Sequence, residues 1–97
     1  MPIALYGVWV NDDPALAGRA LEIGRHSVRF LDGNAELSHV VVETVEQDGD
    51  AGASTRFVVR GRAEDGAEVD LAFVHVARPE QLRMETYREP WRRAEGE

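Results

Sequence analysis

The side chains best suited to acid–base or metal chemistry are those of the three histidines. His26 falls in a turn, where we expect it to be solvated, whereas the strands that hold His39 and His75 allow both to point inward. A metal centre needs converging ligands, and the sequence has no His-x-His pair and no His–Glu pair at ligand spacing. The sequence therefore predicts no metal site and no cofactor, and it favours a hydrogen-bonded core or rim histidine at position 75.

Paired acids and hydroxyl groups are the next candidates, for calcium binding and for nucleophilic catalysis. Asp12-Asp13 and Asp48-x-Asp50 resemble fragments of calcium loops, but the full spacing of such a loop is missing. Turn formation explains both pairs better. Cysteine is absent, and no serine lies in a Gly-x-Ser-x-Gly context. We therefore predict no catalytic residue and favour a protein that is not an enzyme.

Two groups of arginines stand out among the 11 in the chain, which has no lysine. The first group shares one face of a predicted strand and faces acids on the next strand: Arg56, Arg60 and Arg62 against Glu68 and Asp70. This pattern predicts a solvated cross-strand ladder. The second group lies near the C-terminus and is less well matched by acids: Arg88, Arg92 and Arg93. Its guanidinium groups are suited to hold a carboxylate or a phosphate.

Length and composition favour one small domain. A chain of 97 residues can bury a modest core, and the lack of cysteine excludes disulfides and zinc–thiolate sites. The formal net charge of -7 argues against nucleic-acid binding. No apolar run reaches the ~20 residues of a membrane span, and the first residues do not resemble a signal peptide. We expect a cytoplasmic protein, with no nucleic-acid or membrane partner, that forms a single domain over 1–97 and is ordered over about 3–93.

The strands that must position any site are best determined between Ser54 and Val76. A three-residue turn at 64–66 joins two runs in which apolar and charged residues alternate. This turn length sets Phe57 against Phe73 and puts glycine at the third loop position, which needs a left-handed residue. The same register predicts the pairs Gly61–Val69, Val59–Leu71, Arg62–Glu68 and Arg60–Asp70. It keeps apolar side chains on one face and opposite charges on the other.

Similar patterns predict the rest of the sheet. The other strand candidates are 4–10, 19–25, 27–32, 36–47 and 81–89, with one helical turn at 15–18. In the hairpin at 19–32, Leu21 should face Phe30. We expect a mobile glycine-rich loop at 47–53 and a disordered tail at 94–97. Seven to eight short strands without a convincing helix predict an all-β fold, a small antiparallel up-and-down β-barrel.

The two ends of the chain carry a family resemblance. Gly7-Val8-Trp9 is a Gly-x-Trp motif that opens the first strand, and Arg92 and Arg93 follow the last predicted strand. In this order of elements the chain resembles the small lipocalin-like (calycin) β-barrels. The resemblance implies that Trp9 plugs the closed end of the barrel and that Arg92 or Arg93 packs across its ring. Gly7, Trp9 and the two arginines would then be structural residues.

The barrel favours binding of a small apolar or amphipathic ligand without catalysis. We expect a pocket lined by Phe30, Phe57, Val59, Leu71, Phe73, His75 and Met84. One alternative is an interaction or structural domain with a solid core, since a barrel this small can fill its interior with side chains. It would form a homodimer through an apolar outer face of Val40, Val42, Val74 and Val76. A weaker alternative is an isomerase or cyclase that uses His75 as acid–base beside a cavity and a second polar group.

Overall fold

The computed structural model describes residues 1–52, 54–78 and 80–94, and in these ranges it has eight β-strands. In chain order they are β1 (Gly7–Asn11), β2 (Arg19–Ile23), β3 (Ser27–Asp32), β4 (Ala35–Ala51), β5 (Ser54–Ala63), β6 (Glu68–Ala77), β7 (Glu80–Met84) and β8 (Trp91–Arg93). Two short 3₁₀ helices, η1 (Ile3–Leu5) and η2 (Pro14–Leu16), precede and follow β1. Neither helix in these ranges has the length or the apolar character needed to cross a membrane.

The sheet closes into a barrel. Each strand pairs antiparallel with the next, and β8 returns to pair with β1, which confirms the predicted all-β, up-and-down barrel. Closure removes the two unpaired edges that an open sheet would expose. The sequence analysis missed β8, in which Trp91 faces Asn11 and Arg93 faces Trp9. The strand expected over 81–89 is instead the shorter β7, which ends at Met84.

Strand register follows the sequence where apolar and charged residues alternate. In β5 and β6 the structure pairs Phe57 with Phe73 and Arg62 with Glu68, and in β2 and β3 it pairs Leu21 with Phe30. Each of these pairings confirms the prediction. A register slip of one residue would turn every apolar side chain of these strands out of the barrel, so the pattern permits only one solution.

The longest strand, β4, corrects one expectation. We expected β4 to end at Gln47 and to be followed by a mobile loop over 47–53. The strand instead continues to Ala51, because Asp50 and Ala51 pair with Thr55 and Ser54 of β5. Ala53 lies outside the described residues, as does the tail at 95–97. A register shift between Val42 and Thr44 shows that Glu43 is an extra residue in the β4 ladder, which is the definition of a β-bulge.

The valines of β4 correct a second expectation. Val40 is 2% exposed and lies in the core, and Val42 packs against the core, whereas Val41 is exposed. The apolar outer face expected from Val40, Val42, Val74 and Val76 therefore does not form. Three consecutive valines cannot tell which side of a strand faces inward, because either choice buries an apolar residue.

One hydrophobic core fills the barrel. Its buried members are Leu5, Trp9, Leu21, Ile23, Val28, Val40, Phe57, Val59, Phe73, Leu82, Met84 and Trp91. Because η1 and η2 stand before and after β1, they mark opposite ends of that strand and of the barrel. We call these the η1 end, which holds Trp9 and Arg93, and the η2 end, which holds Trp91.

Candidate functional site

At the η1 end, Trp9 is held through both its N–H group and its ring. The side chain is fully buried, and Nε1 donates a hydrogen bond to the carbonyl oxygen of Leu5 at 3.1 Å. The guanidinium carbon of Arg93 lies 4.3 Å from the ring centroid, which is the geometry of a cation–π interaction. Of the two arginines that the resemblance offered for this role, Arg93 occupies the position, and Arg92 pairs with Asp12 at 2.9 Å.

Arg93 is fixed in turn by a carboxylate and by the backbone. Its Nε and Nη2 donate to the two carboxylate oxygens of Glu80 at 2.8 and 3.1 Å, a bidentate ion pair. Its Nη1 and Nη2 also donate to the carbonyl oxygens of Tyr6 and Ala4. The hydrogen bonds from Arg93, and to a smaller extent from His75, outweigh burial and lower the pKa of Glu80 to about 2. Glu80 is therefore a carboxylate at neutral pH.

His75 completes this network from the inner face of β6. Its ring meets that of Trp9 edge to face, with 6.3 Å between centroids, and its Nε2 lies 3.1 Å from Glu80 Oε2. Because an ionised carboxylate can only accept, Nε2 of His75 is the donor. The side chain is 14% exposed, as a rim histidine would be. Within the described ranges, none of the four best-formed cavities is lined by His75.

Gly7 makes room for the arginine. Its φ of +126° lies in a region that residues with a side chain rarely adopt, and a Cβ placed there would lie 2.7 Å from Nη1 of Arg93. Both residues of the Gly-x-Trp motif therefore contact Arg93. Gly7 leaves space for its guanidinium group, and Trp9 packs its ring against that group.

The η2 end opens into a cavity of about 330 Å³, which we call the mouth cavity. It is lined by Leu16, Arg19, Ala20, Phe30, Leu31, Leu37, Ser38, Tyr87 and Trp91. Most of this surface is aromatic or aliphatic, with a few polar groups among it. The volume falls within the range of small-molecule sites, which is roughly 300–1,000 Å³.

Trp91, one of the residues that line the mouth cavity, carries a buried N–H group. The side chain is 1% exposed, and in the described part of the chain its Nε1 is a buried donor without a hydrogen-bond partner. Tyr87 packs against the same ring edge to face, with 5.2 Å between centroids. A buried N–H without an acceptor costs about 1–3 kcal/mol of folding stability. A bound molecule that brings an oxygen acceptor to Trp91 would recover part of that cost.

The residues expected to line one pocket lie in different places. Phe30 lines the mouth cavity, and His75 lies at the η1 end. Phe57, Val59 and Phe73 are buried in the core. The remaining two, Leu71 and Met84, border a smaller cavity of about 140 Å³ beside β6 and β7. Among the predicted lining residues, the mouth cavity therefore includes Phe30 alone.

The other candidate residues form surface ion pairs and caps. Glu36, His39 and Glu64 each place one ligand atom within 4.8 Å of the others, but Glu36 also pairs with Arg29 at 3.3 Å and both glutamates are exposed. These three residues therefore form an exposed cluster of charged groups. His26 is also exposed, in the turn between β2 and β3. Asp13 accepts from the backbone N–H of Ala15 and so caps η2. The side chains at 48 and 50 lie outside the described residues.

The predicted arginine ladder is present on the outer face for Arg60 and Arg62, whereas Arg56 faces Val74 of β6. Arg62 lies 3.2 Å from Glu43 and 3.4 Å from Glu68, and Arg60 lies 3.8 Å from Glu46 and 3.9 Å from Asp70. All of these side chains are about half exposed or more, so each pair contributes at most about 1 kcal/mol. The ladder supports the register of the sheet and is not a binding site.

Sequence reasoning missed the residues that matter most at the two ends. Trp91 belongs to the three-residue β8, Tyr87 to the connection before it and Leu16 to the short helix η2, and none of these segments is long enough for a periodic pattern to reveal which way a side chain points. Glu80 was assigned to a connection, yet it opens β7. A second tryptophan directly after Pro90 is the one signal in the sequence, since such a large apolar residue is rarely left at a solvated chain end.

In comparisons with known proteins, the chain matches no family model, no curated protein and no solved structure.

Proposed function

We propose that this chain is a lipocalin-like barrel that binds one small apolar or amphipathic molecule in the mouth cavity, without catalysis. The observation that carries the proposal is that Trp91, whose buried N–H has no acceptor among the described residues, lines a cavity that is more apolar than polar. An apolar ligand body with one oxygen acceptor complements both features.

The lining suggests how such a ligand would lie. Phe30, Leu37 and Tyr87 offer aromatic and aliphatic surface for the body, and the indole N–H of Trp91 offers the hydrogen bond that fixes its orientation. Arg19 also lines the cavity, and its Nε is 3.9 Å from Asp32, a long distance for an ion pair. Its guanidinium can therefore turn toward a polar group of the ligand at low cost.

The proposal excludes catalysis because of what lines the cavity. Among the described residues that line it, none is a carboxylate or an imidazole, which are the commonest general acid–base groups. His75 and Glu80 also bring an imidazole and a carboxylate together, but they belong to the η1 end, where Glu80 binds the arginine that packs on Trp9.

The test compares two probes of similar shape, 2-acetylnaphthalene, which has a carbonyl acceptor, and 2-ethylnaphthalene, which has none. We expect the ketone to bind about tenfold more tightly to the full chain in isothermal titration, because a net hydrogen bond contributes about 1 kcal/mol or slightly more. Trp91→Phe removes the donor and should abolish the difference between the probes. Native mass spectrometry of the purified protein, followed by organic extraction, gives the stoichiometry and the class of any bound molecule.

A matched control variant separates the cavity from general hydrophobic binding. Val41 is exposed on the outer face, outside the residues that line the mouth cavity, so Val41→Phe should leave both affinities unchanged. Ala20→Phe adds a ring within the cavity and should weaken both probes at least about tenfold. The proposal is wrong if no small molecule is extracted and neither probe binds, or if Ala20→Phe leaves their affinities intact.

A further inference from the structure

The outer face of the barrel carries a second cavity, of about 230 Å³, which we call the arginine groove. Ala72 and Val74 of β6 line it, and three arginines line it as well, Arg56, Arg83 and Arg88. Such a concentration of positive charge is unexpected in a chain with a formal net charge of -7. The groove was not anticipated from the sequence, although Arg88 belongs to the C-terminal arginines singled out there.

The sheet register places two of the arginines in one row. Val74 pairs with Arg56 on one side and with Arg83 on the other, so the two guanidinium groups flank a small apolar side chain on the same face. Arg88 comes from the segment 85–90 between β7 and β8, which borders the groove. A row of like charges around an apolar floor favours an anionic occupant.

Arg83 and Arg88 lack the carboxylate partners that many other arginines have among the described residues. Ion pairs with carboxylates of the described residues hold Arg19, Arg29, Arg60, Arg62, Arg92 and Arg93. Arg83 and Arg88 have no carboxylate within 4.0 Å in the described part of the chain, although Glu85 lines the same groove. Among the described residues, these two guanidinium groups therefore have no carboxylate partner.

We infer that the arginine groove binds a small oxyanion, a phosphate ester or a carboxylate, carried on a compact apolar body. Guanidinium groups present planar pairs of N–H donors that match both phosphate and carboxylate oxygens. Ala72 and Val74 provide the apolar contact for the body of the ligand. This site lies on the outer face of the barrel and is independent of the ligand proposed for the mouth cavity, although Tyr87 lines both.

The experiment titrates the ¹⁵N-labelled full chain with phenyl phosphate, phenylacetate and neutral benzyl alcohol at constant ionic strength. We expect saturable shifts of the backbone amides of Val74 and Arg83 with the two anions, and at least about tenfold weaker binding of the alcohol, because charged hydrogen bonds are the stronger kind. Tighter binding of phenyl phosphate would identify a phosphate ester as the natural chemistry, and tighter binding of phenylacetate a carboxylate.

A double variant and a matched control make the result specific. Arg83→Gln with Arg88→Gln should raise the dissociation constant of both anions at least about tenfold while the amide spectrum stays that of a folded barrel. Arg25→Gln removes a charge from the turn between β2 and β3, outside the groove, and should leave binding unchanged. Equal weakening by Arg25→Gln, unchanged binding in the double variant, or equal affinity for benzyl alcohol would each overturn the inference.

Discussion

The two tryptophans of this barrel occupy opposite ends and have opposite environments. Trp9 donates its N–H to Leu5 and carries Arg93 on its ring, whereas Trp91 is equally buried but has no acceptor for its N–H in the described chain. Both rings belong to the same core. Burial alone therefore does not tell a structural indole from a candidate ligand-binding one, but the state of its single polar atom does.

The difference extends to the surroundings of each ring. At the η1 end, Arg93, Glu80 and His75 form a connected set in which the guanidinium group and the carboxylate are paired with each other. At the η2 end, Trp91 lines a largely aromatic and aliphatic cavity, and its buried N–H has no acceptor among the described residues. In the function that we propose, stability and binding belong to different ends of one small barrel.

The largest effect should come from removing the structural indole. Trp9→Ala deletes a fully buried ring together with its hydrogen bond and its contact with Arg93. We expect the free energy of unfolding to fall by about 3–5 kcal/mol. Urea denaturation followed by circular dichroism measures it, and a loss below about 1 kcal/mol would contradict the assignment of Trp9 as the core plug.

A matched pair of variants compares the two N–H groups directly. Trp9→Phe leaves the carbonyl oxygen of Leu5 without its donor, whereas Trp91→Phe removes a donor that had no acceptor in the described chain. We therefore expect Trp9→Phe to cost about 1–3 kcal/mol more stability than Trp91→Phe. Both are followed by chemical denaturation, and equal losses would mean that the hydrogen bond of Trp9 contributes nothing distinctive.

A smaller loss of folding stability is expected when the pH is lowered, because Glu80 becomes protonated. Because its folded-state pKa is lowered from 4.5 to about 2, the unfolded chain binds the proton first, and this contribution to stability is lost as pH falls from about 4.5 to 2. The side chain is 38% exposed, so solvent screening reduces the contribution to about 1 kcal/mol.

The variant Glu80→Gln isolates this contribution. The wild type should lose about 1 kcal/mol more than Glu80→Gln between pH 5 and pH 2.5, measured by urea denaturation at each pH. Glu85→Gln serves as the control, because Glu85 is exposed and forms no ion pair with the described residues. An identical pH dependence in Glu80→Gln and wild type would show that the carboxylate does not stabilise the η1 end.

The sequence determined some of these features and left others open for physical reasons. The β5–β6 register was predictable because Phe57 and Phe73 alternate with charges that would otherwise be buried. The sequence could not predict whether Arg92 or Arg93 packs on Trp9. That choice depends on the register of β8 against β1, and a strand of three residues carries no periodic pattern. The mouth cavity was missed for the same reason, since Trp91 belongs to β8 and Tyr87 to the connection before it.

The most direct test of the account observes both indole N–H groups at once. The ¹H–¹⁵N spectrum of the labelled protein should contain one indole signal each for Trp9 and Trp91, assigned from the Phe variants. On titration with 2-acetylnaphthalene, we expect the Trp91 signal to shift downfield and saturate, since its N–H gains an acceptor, while the Trp9 signal stays in place. A shift of Trp9 alone, or no saturable shift of Trp91, would contradict the assignment of binding to the η2 end.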